Sequence, residues 1–265
     1  MTRLLHHRDE GPKDAPVLLL GPSLGTSVRV WEPQAPALAE RHRVIRWDLP
    51  GHGGSAPGLL PAGATVADLG RLVLDLADAL GARTFAYAGI SIGGAVGTWL
   101  AAHHPERVES LALLCSSARF GEPGPWRERA ELARTQGLGP LAETAPARWF
   151  TSGFTEYDTL VADQRSADPE AYAACCEVLA AVDLRVDLAT ITAPTLVIAG
   201  LDDVATPPAH ARELAAGIRG AHLVELPHAA HLANVERPHA VLAALQGHLA
   251  QHQEDLAQHQ QEKER

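Results

Sequence analysis

Short, largely apolar runs alternate with amphipathic stretches along most of the chain. Val17 to Leu20, Val44 to Trp47, Phe85 to Ala88, Leu111 to Cys115, Thr195 to Ala199 and His222 to Leu226 are each four or five residues long, with Gly, Pro or Asp punctuating the stretches around them. Such runs predict parallel strands covered on both faces. Between them, Leu69, Leu72, Val73, Leu76 and Leu80 recur at helical spacing, with Gly81 as a stop. Val96 to His103 predicts a helix that ends before Pro105, and Val241, Leu242, Leu245 and Leu249 form a last helical stripe. This alternation predicts an α/β fold, a mostly parallel central sheet with helices on both faces.

The alternation stops between about Glu122 and Asp187. That stretch has helical fragments, prolines at 123, 125, 140 and 146, and the indoles of Trp126 and Trp149, but no strand pattern. It reads as a helical lid inserted over the carboxyl edge of the sheet (122–187), with 1–121 and 188–250 forming the core. The segment 251–265 is rich in Gln, Glu and His and reads either as an extension of the last helix or as a frayed end.

Composition narrows the class. A chain of 265 residues with 46% hydrophobic and 20% charged residues suits one sizeable globular domain. The net charge of -10 and the lack of a Lys/Arg run argue against nucleic acid as a partner. Local arginines could still hold an anionic substrate. Three cysteines, Cys115, Cys175 and Cys176, have neither disulfide-framework nor zinc-site spacing, which points to a reducing compartment. Met1 to Gly11 has no apolar signal-peptide core, and no run is long enough to span a membrane. The expectation is a cytoplasmic protein with no membrane partner.

The sharpest chemical signal is Gly89-Ile90-Ser91-Ile92-Gly93-Gly94, a G-x-S-x-G with a strand run before it and a helix after it. Serine there occupies a tight strand-to-helix turn, at the positive end of a helix, with flanking glycines removing the Cβ atoms that would clash. This setting resembles the nucleophile elbow of α/β-hydrolases, in which an acid and then a histidine follow the serine in chain order. A serine hydroxyl needs such a base and an orienting group to become nucleophilic. Gly200-Leu201-Asp202-Asp203-Val204-Ala205-Thr206-Pro207 follows a late strand and offers Asp203, by loop spacing, with Asp202 as runner-up. Pro227-His228-Ala229-Ala230-His231 follows the last strand and offers His231, with His228 as the lesser choice. An oxyanion hole would draw backbone N–H groups from Ile92 and from the Gly21–Thr26 loop, where Leu24 is the candidate because Pro22 has no N–H. His52-Gly53-Gly54 imitates an esterase oxyanion motif but follows the wrong strand, so it reads as a scaffold turn. The Gly21–Gly25 loop lacks the Lys-Ser/Thr of a phosphate loop.

Across about Leu4 to Leu249 the chain resembles the 3-oxoadipate enol-lactonase family of α/β-hydrolases. Pro22-Ser23-Leu24-Gly25-Thr26-Ser27, Arg148-Trp149-Phe150-Thr151 and Tyr172-Ala173-Ala174-Cys175-Cys176 are what carry the likeness beyond the fold. The resemblance implies an α/β-hydrolase fold with a helical lid, Ser91, Asp203 and His231 as catalytic residues, and no metal or organic cofactor. It also implies hydrolysis of a small enol-lactone that bears a free carboxylate. Where Pro22 stands, members of the family usually have Asn or His. Candidates for substrate contact are Ser23, Trp126, Trp149 and, for the carboxylate, Arg127, Arg134 and Arg148; the cysteines 175 and 176 read as core. Competing readings are a general carboxylesterase or cofactor-free perhydrolase on the same scaffold, and a hydrolase-fold protein that binds a small lactone without turning it over.

Overall fold

Each of the six apolar runs becomes a strand. The computed structural model describes residues 4–263. A seven-stranded sheet is built from β1 (His7–Glu10), β2 (Val17–Gly21), β3 (Arg43–Trp47), β4 (Phe85–Ile90), β5 (Val108–Leu114), β6 (Thr195–Gly200) and β7 (His222–Leu226). Its order is β1-β3-β2-β4-β5-β6-β7, parallel throughout except for β1, which runs antiparallel to β3. The extra strand β1 was not expected, because His7–Glu10 has no apolar run. It is an edge strand held by charge: Arg43 pairs with Asp9, and Arg46 with Glu10.

The helices are α1 (Ala35–Ala39), α2 (Val66–Ala79), α3 (Ile92–His103), α4 (Pro123–Gln136), α5 (Gly139–Trp149), α6 (Asp158–Ser166), α7 (Pro169–Ala181), α8 (Pro208–Gly217), α9 (Ala233–Glu236) and α10 (Pro238–Lys263). Strand residues alternate between two cores. Leu19, Ile45, Tyr87, Leu111 and Val197 face one side, with α2, α3 and α8. Leu18, Leu20, Val44, Ala88, Ala112 and Ile198 face the other, with Leu38 of α1 and Val241, Leu245 and Leu249 of α10. Burial on both faces is why the central strands read as nearly continuous apolar runs rather than as alternating ones.

Between β5 and β6 the described chain has helices and turns only, α4 to α7, with α4 packed along α7. The helix α10 continues through the Gln-rich tail as far as Lys263, so of the two alternatives the extension is the one observed. Among the described residues, no helix is long and apolar enough to cross a membrane.

This topology places the site. The chain goes from β2 outward to β3, then crosses back to β4 on the other side of β2. Loops leaving the carboxyl ends of β2 and β4 therefore diverge, and a crevice opens where the order reverses. The Ser23–Leu24 loop follows β2, and Ser91 follows β4.

Candidate active site

Ser91 has φ 56° and ψ −118°, a left-handed conformation that is strained for a residue with a Cβ. The surrounding backbone imposes it. Ser91 N–H donates to Leu114 O at 3.0 Å, while its carbonyl accepts Ala95 N–H at 3.0 Å and the Ser116 hydroxyl at 2.7 Å. Gly93 N–H donates to Pro22 O at 3.1 Å, which binds the elbow to the β2 loop. A Cβ at Gly93 would stand 2.6 Å from that same oxygen, so the close approach requires glycine. Pro22, the position that departs from the family pattern, thus contributes a carbonyl that needs no side chain of a particular kind.

His231 and Asp203 meet although far apart in sequence. Asp203 Oδ2 lies 2.9 Å from His231 Nδ1, and both side chains are buried. Asp203 Oδ1 accepts the N–H groups of Ala205 and Thr206 at 2.7 and 2.9 Å, and the Thr206 hydroxyl is 2.7 Å from Oδ2. Burial raises the Asp203 pKa, but the His231 charge and the hydrogen bonds from His231 and Thr206 outweigh it. The carboxyl titrates below its ordinary value. Asp202 faces solvent, and its N–H donates to Ala229 O at 2.9 Å. His228 is exposed, has φ 54°, and uses its carbonyl to hold Arg237, so it shapes the turn that presents His231.

Ser91 and His231 line one pocket, whose space is about 370 Å³, part of it open to solvent. Among the described residues no hydrogen bond yet joins Ser91 Oγ to His231; such contacts commonly tighten once a reactant is seated. Ser23 and Leu24 form the wall on the β2 side. Ile92 is the first residue of α3, at the foot of the elbow. Phe120, Trp126, Arg129, Arg148, Trp149 and Tyr172 close the opposite wall, with Ala205 and Thr206 beside His231.

Two cations share that wall. Arg148 lies with its guanidinium carbon 6.0 Å from the Trp126 ring centre, and burial, together with the neighbouring Arg129 charge, lowers its pKa. Arg129 donates from Nε to the Tyr172 hydroxyl at 2.8 Å. Among the described residues neither forms an ion pair with a carboxylate. Burial pushes the Tyr172 hydroxyl up to about 12, so it stays protonated.

Arg134, expected as a substrate contact, is elsewhere. It forks onto Glu170 and Glu177 of α7 on the outer surface and is absent from the pocket wall. Arg127 is exposed and also lies outside the wall. The physical reason is helix phase. Trp126, Arg129, Ala130 and Ala133 share the inward face of α4, one turn apart, whereas Arg127 and Arg134 fall off it. Arg129 escaped the sequence reading, although its position three residues after Trp126 carried the signal. Phe120, Ala205 and Thr206 were missed as well, and they had no pattern of their own. His52 sits in the predicted scaffold turn, its Nδ1 against Pro50 O and its ring 5.8 Å from that of Tyr172. Cys175 and Cys176 are fully buried. Among the described residues no cluster of three or more His, Cys, Asp or Glu side chains could hold a metal ion.

Known proteins with these features are recognisable. A model of the alpha/beta hydrolase family matches residues 17–245. The 3-oxoadipate enol-lactonase 2 of Acinetobacter baylyi is 39% identical over 241 residues, covering 89% of each chain. The crystal structure of the enol-lactonase from Burkholderia xenovorans LB400 superposes with a TM-score of 0.88 at 39% identity, covering 93% of this chain and 96% of that one. A proposed carbamate hydrolase of Variovorax paradoxus is 36% identical over 247 residues, covering 87% of this chain and 90% of its own.

Proposed function

The chain belongs to the alpha/beta hydrolase family, among the 3-oxoadipate enol-lactonases, and is a carboxylic-ester hydrolase; from that premise we propose that it opens 3-oxoadipate enol-lactone to 3-oxoadipate, through an acyl-enzyme on Ser91. The reaction would serve the catabolism of aromatic compounds in the cytoplasm, and it needs neither metal nor organic cofactor.

In this reading, His231 Nε2 takes the Ser91 proton as Oγ attacks the lactone carbonyl. Asp203, on the other ring nitrogen, holds the imidazole in place and stabilises its charged form. The N–H groups of Leu24 and Ile92 receive the negative charge that develops on the carbonyl oxygen. The ring C–O bond then breaks and expels an enolate, a better leaving group than a simple alkoxide. His231 returns the proton, and the enol ketonises, which makes ring opening hard to reverse. Water next gives a proton to His231 and attacks the acyl carbon; Ser91 Oγ leaves with that proton.

The observation that carries the substrate choice is Arg148, half-buried beside Arg129 in the wall of the pocket that Ser91 lines, with no carboxylate of the protein against it. A guanidinium drawn partly out of water without a protein anion carries a desolvation cost, and a substrate carboxylate offsets it. Trp126, Trp149 and Ser23 complete the walls around the ring of the lactone, and α4 to α7 serve as the lid.

The test is a steady-state assay of enol-lactone opening beside p-nitrophenyl acetate and a simple carbamate. The lactone is expected to exceed both in kcat/KM by about 100-fold or more. A preference for the aryl ester would make the protein a general carboxylesterase, and a preference for the carbamate would give it the activity proposed for the Variovorax relative. A single bound acyl group without turnover would make it a lactone-binding protein.

A further inference from the structure

Glu236, the last residue of α9, bonds both to Thr151, 85 residues earlier in the chain, and to Ala230 beside His231. Its Oε1 accepts both the N–H and the hydroxyl of Thr151, at 2.8 and 2.6 Å. Its Oε2 accepts the N–H of Ala230 at 2.6 Å. Thr151 comes just after Trp149 and Phe150, at the end of α5, and Trp149 is a wall of the pocket. Ala230 immediately precedes His231. On the other side of the histidine, Leu232 N–H donates to Trp149 O at 3.0 Å. The backbone on both flanks of His231 is therefore bonded to one unit made of Glu236 and the end of α5.

The loop needs such a tie. Between β7 and α9 it has no regular structure, and it turns through the left-handed His228. Asp203 holds the imidazole at one ring atom, which leaves the position of the loop backbone to other contacts. Displacing a catalytic group by about 1 Å costs on the order of 100-fold in rate. Three bonds to one ionised carboxylate are stronger than three neutral ones and pin two backbone segments at once.

We infer that Glu236 is a positioning residue: it couples the placement of the His231 imidazole, relative to Ser91, to the seating of the Thr151–Trp149 segment against the core. The inference rests on the reading of Ser91, Asp203 and His231 as catalytic groups, but not on the identity of the lactone.

The experiment uses p-nitrophenyl acetate, a simple ester that a Ser91-based hydrolase turns over, with Ser91→Ala as the control. If turnover survives in S91A, the catalytic reading itself fails. With S91A inactive, Glu236→Gln decides the inference. Gln keeps the size of Glu, but its amide NH₂ must face one of the N–H donors. It is expected to lower kcat at least about 10-fold, with KM within about 3-fold, and to displace the acidic limb of the pH–rate profile. Rates are expressed per titrated active serine, so loss of folded protein alone moves neither quantity. Thr151→Val removes one bond of the three and should lower kcat in the same direction by about 3-fold. A folded E236Q with kcat within about 2-fold of the wild type overturns the inference. Should E236Q fail to fold, an unchanged kcat in T151V overturns it instead.

Discussion

Asp203 and Asp202 are neighbours in the chain and opposites in the structure. Asp203 is buried, with Oδ2 2.9 Å from His231 Nδ1, and it accepts two further N–H bonds from its own loop. Asp202 points to water, and only its backbone takes part, through Ala229 O. The loop after β6 turns between them, sending successive side chains in different directions.

Replacing one aspartate should therefore not resemble replacing the other. Asp203→Asn is expected to lower kcat by about 1,000-fold or more, because the amide no longer selects the right tautomer or stabilises the imidazolium. Asp202→Asn should stay within about 3-fold of the wild type, as surface substitutions do. Steady-state kinetics on both variants checks this, and the reverse ranking would move the acid to Asp202.

Backbone strain at Ser91 can be read as stability. Ser91→Ala keeps the Cβ at φ 56° and should leave the unfolding midpoint nearly unchanged while abolishing turnover. Ser91→Gly removes the Cβ as well and should stabilise the fold by roughly 1 kcal/mol, the scale of relief at a left-handed non-glycine position. Urea unfolding of the two inactive variants measures the difference.

Arg148 and Arg134 separate substrate binding from surface charge. Arg148→Met should raise KM for the carboxylate-bearing lactone by about 10- to 100-fold, the worth of a charge-assisted hydrogen bond, and leave p-nitrophenyl acetate nearly unaffected. Arg134→Met breaks the exposed pairs with Glu170 and Glu177. It should leave both KM values alone and cost at most about 1 kcal/mol of stability. Equal effects of R148M on both substrates would remove Arg148 from the anion site.

Acid should loosen the fold before it protonates the Asp203 carboxylate. His248, on α10 with Nε2 3.3 Å from Ser110 Oγ, titrates at about 4 because burial, and then the charge on His252, disfavours its cation. The unfolded chain takes up that proton near pH 6.5, so stability is lost as pH falls from about 6.5 to about 4 and levels off below. The single group can contribute at most about 3 kcal/mol over that window. His42 and His52, also lowered by burial, act in the same sense. Asp203, whose pKa is depressed, weakens the fold only below its ordinary range near 3.8. Urea midpoints at pH 7 and 4.5 for the wild type and His248→Gln test this: the variant should lose less.

Much of the scaffold was legible because its central strands are covered on both faces, which favours apolar residues at most of their positions. The strand β1 was not legible, since its edge position lets Asp9 and Glu10 pair with Arg43 and Arg46 across the ladder and leaves no apolar trace. Ser91 was legible because a sharp turn with close backbone approach admits only a particular set of small residues around it, and Gly93 against Pro22 O shows why. Which of the candidate arginines lines the pocket was not. Residues 127, 129, 134 and 148 are chemically the same side chain, and composition cannot distinguish them.

What the sequence by itself determined, then, was the succession of the six parallel strands, the strained serine turn, and the loops that supply an acid and a histidine. Each of these follows from local backbone demands or from burial along a single element. Tertiary structure alone decided that Arg129 and Arg148 face Ser91 while Arg134 turns outward to Glu170 and Glu177, and that Glu236 straps Thr151 to Ala230. Long, flexible charged side chains take their direction from whichever partner packing brings within reach, and that partner lies far away in the chain.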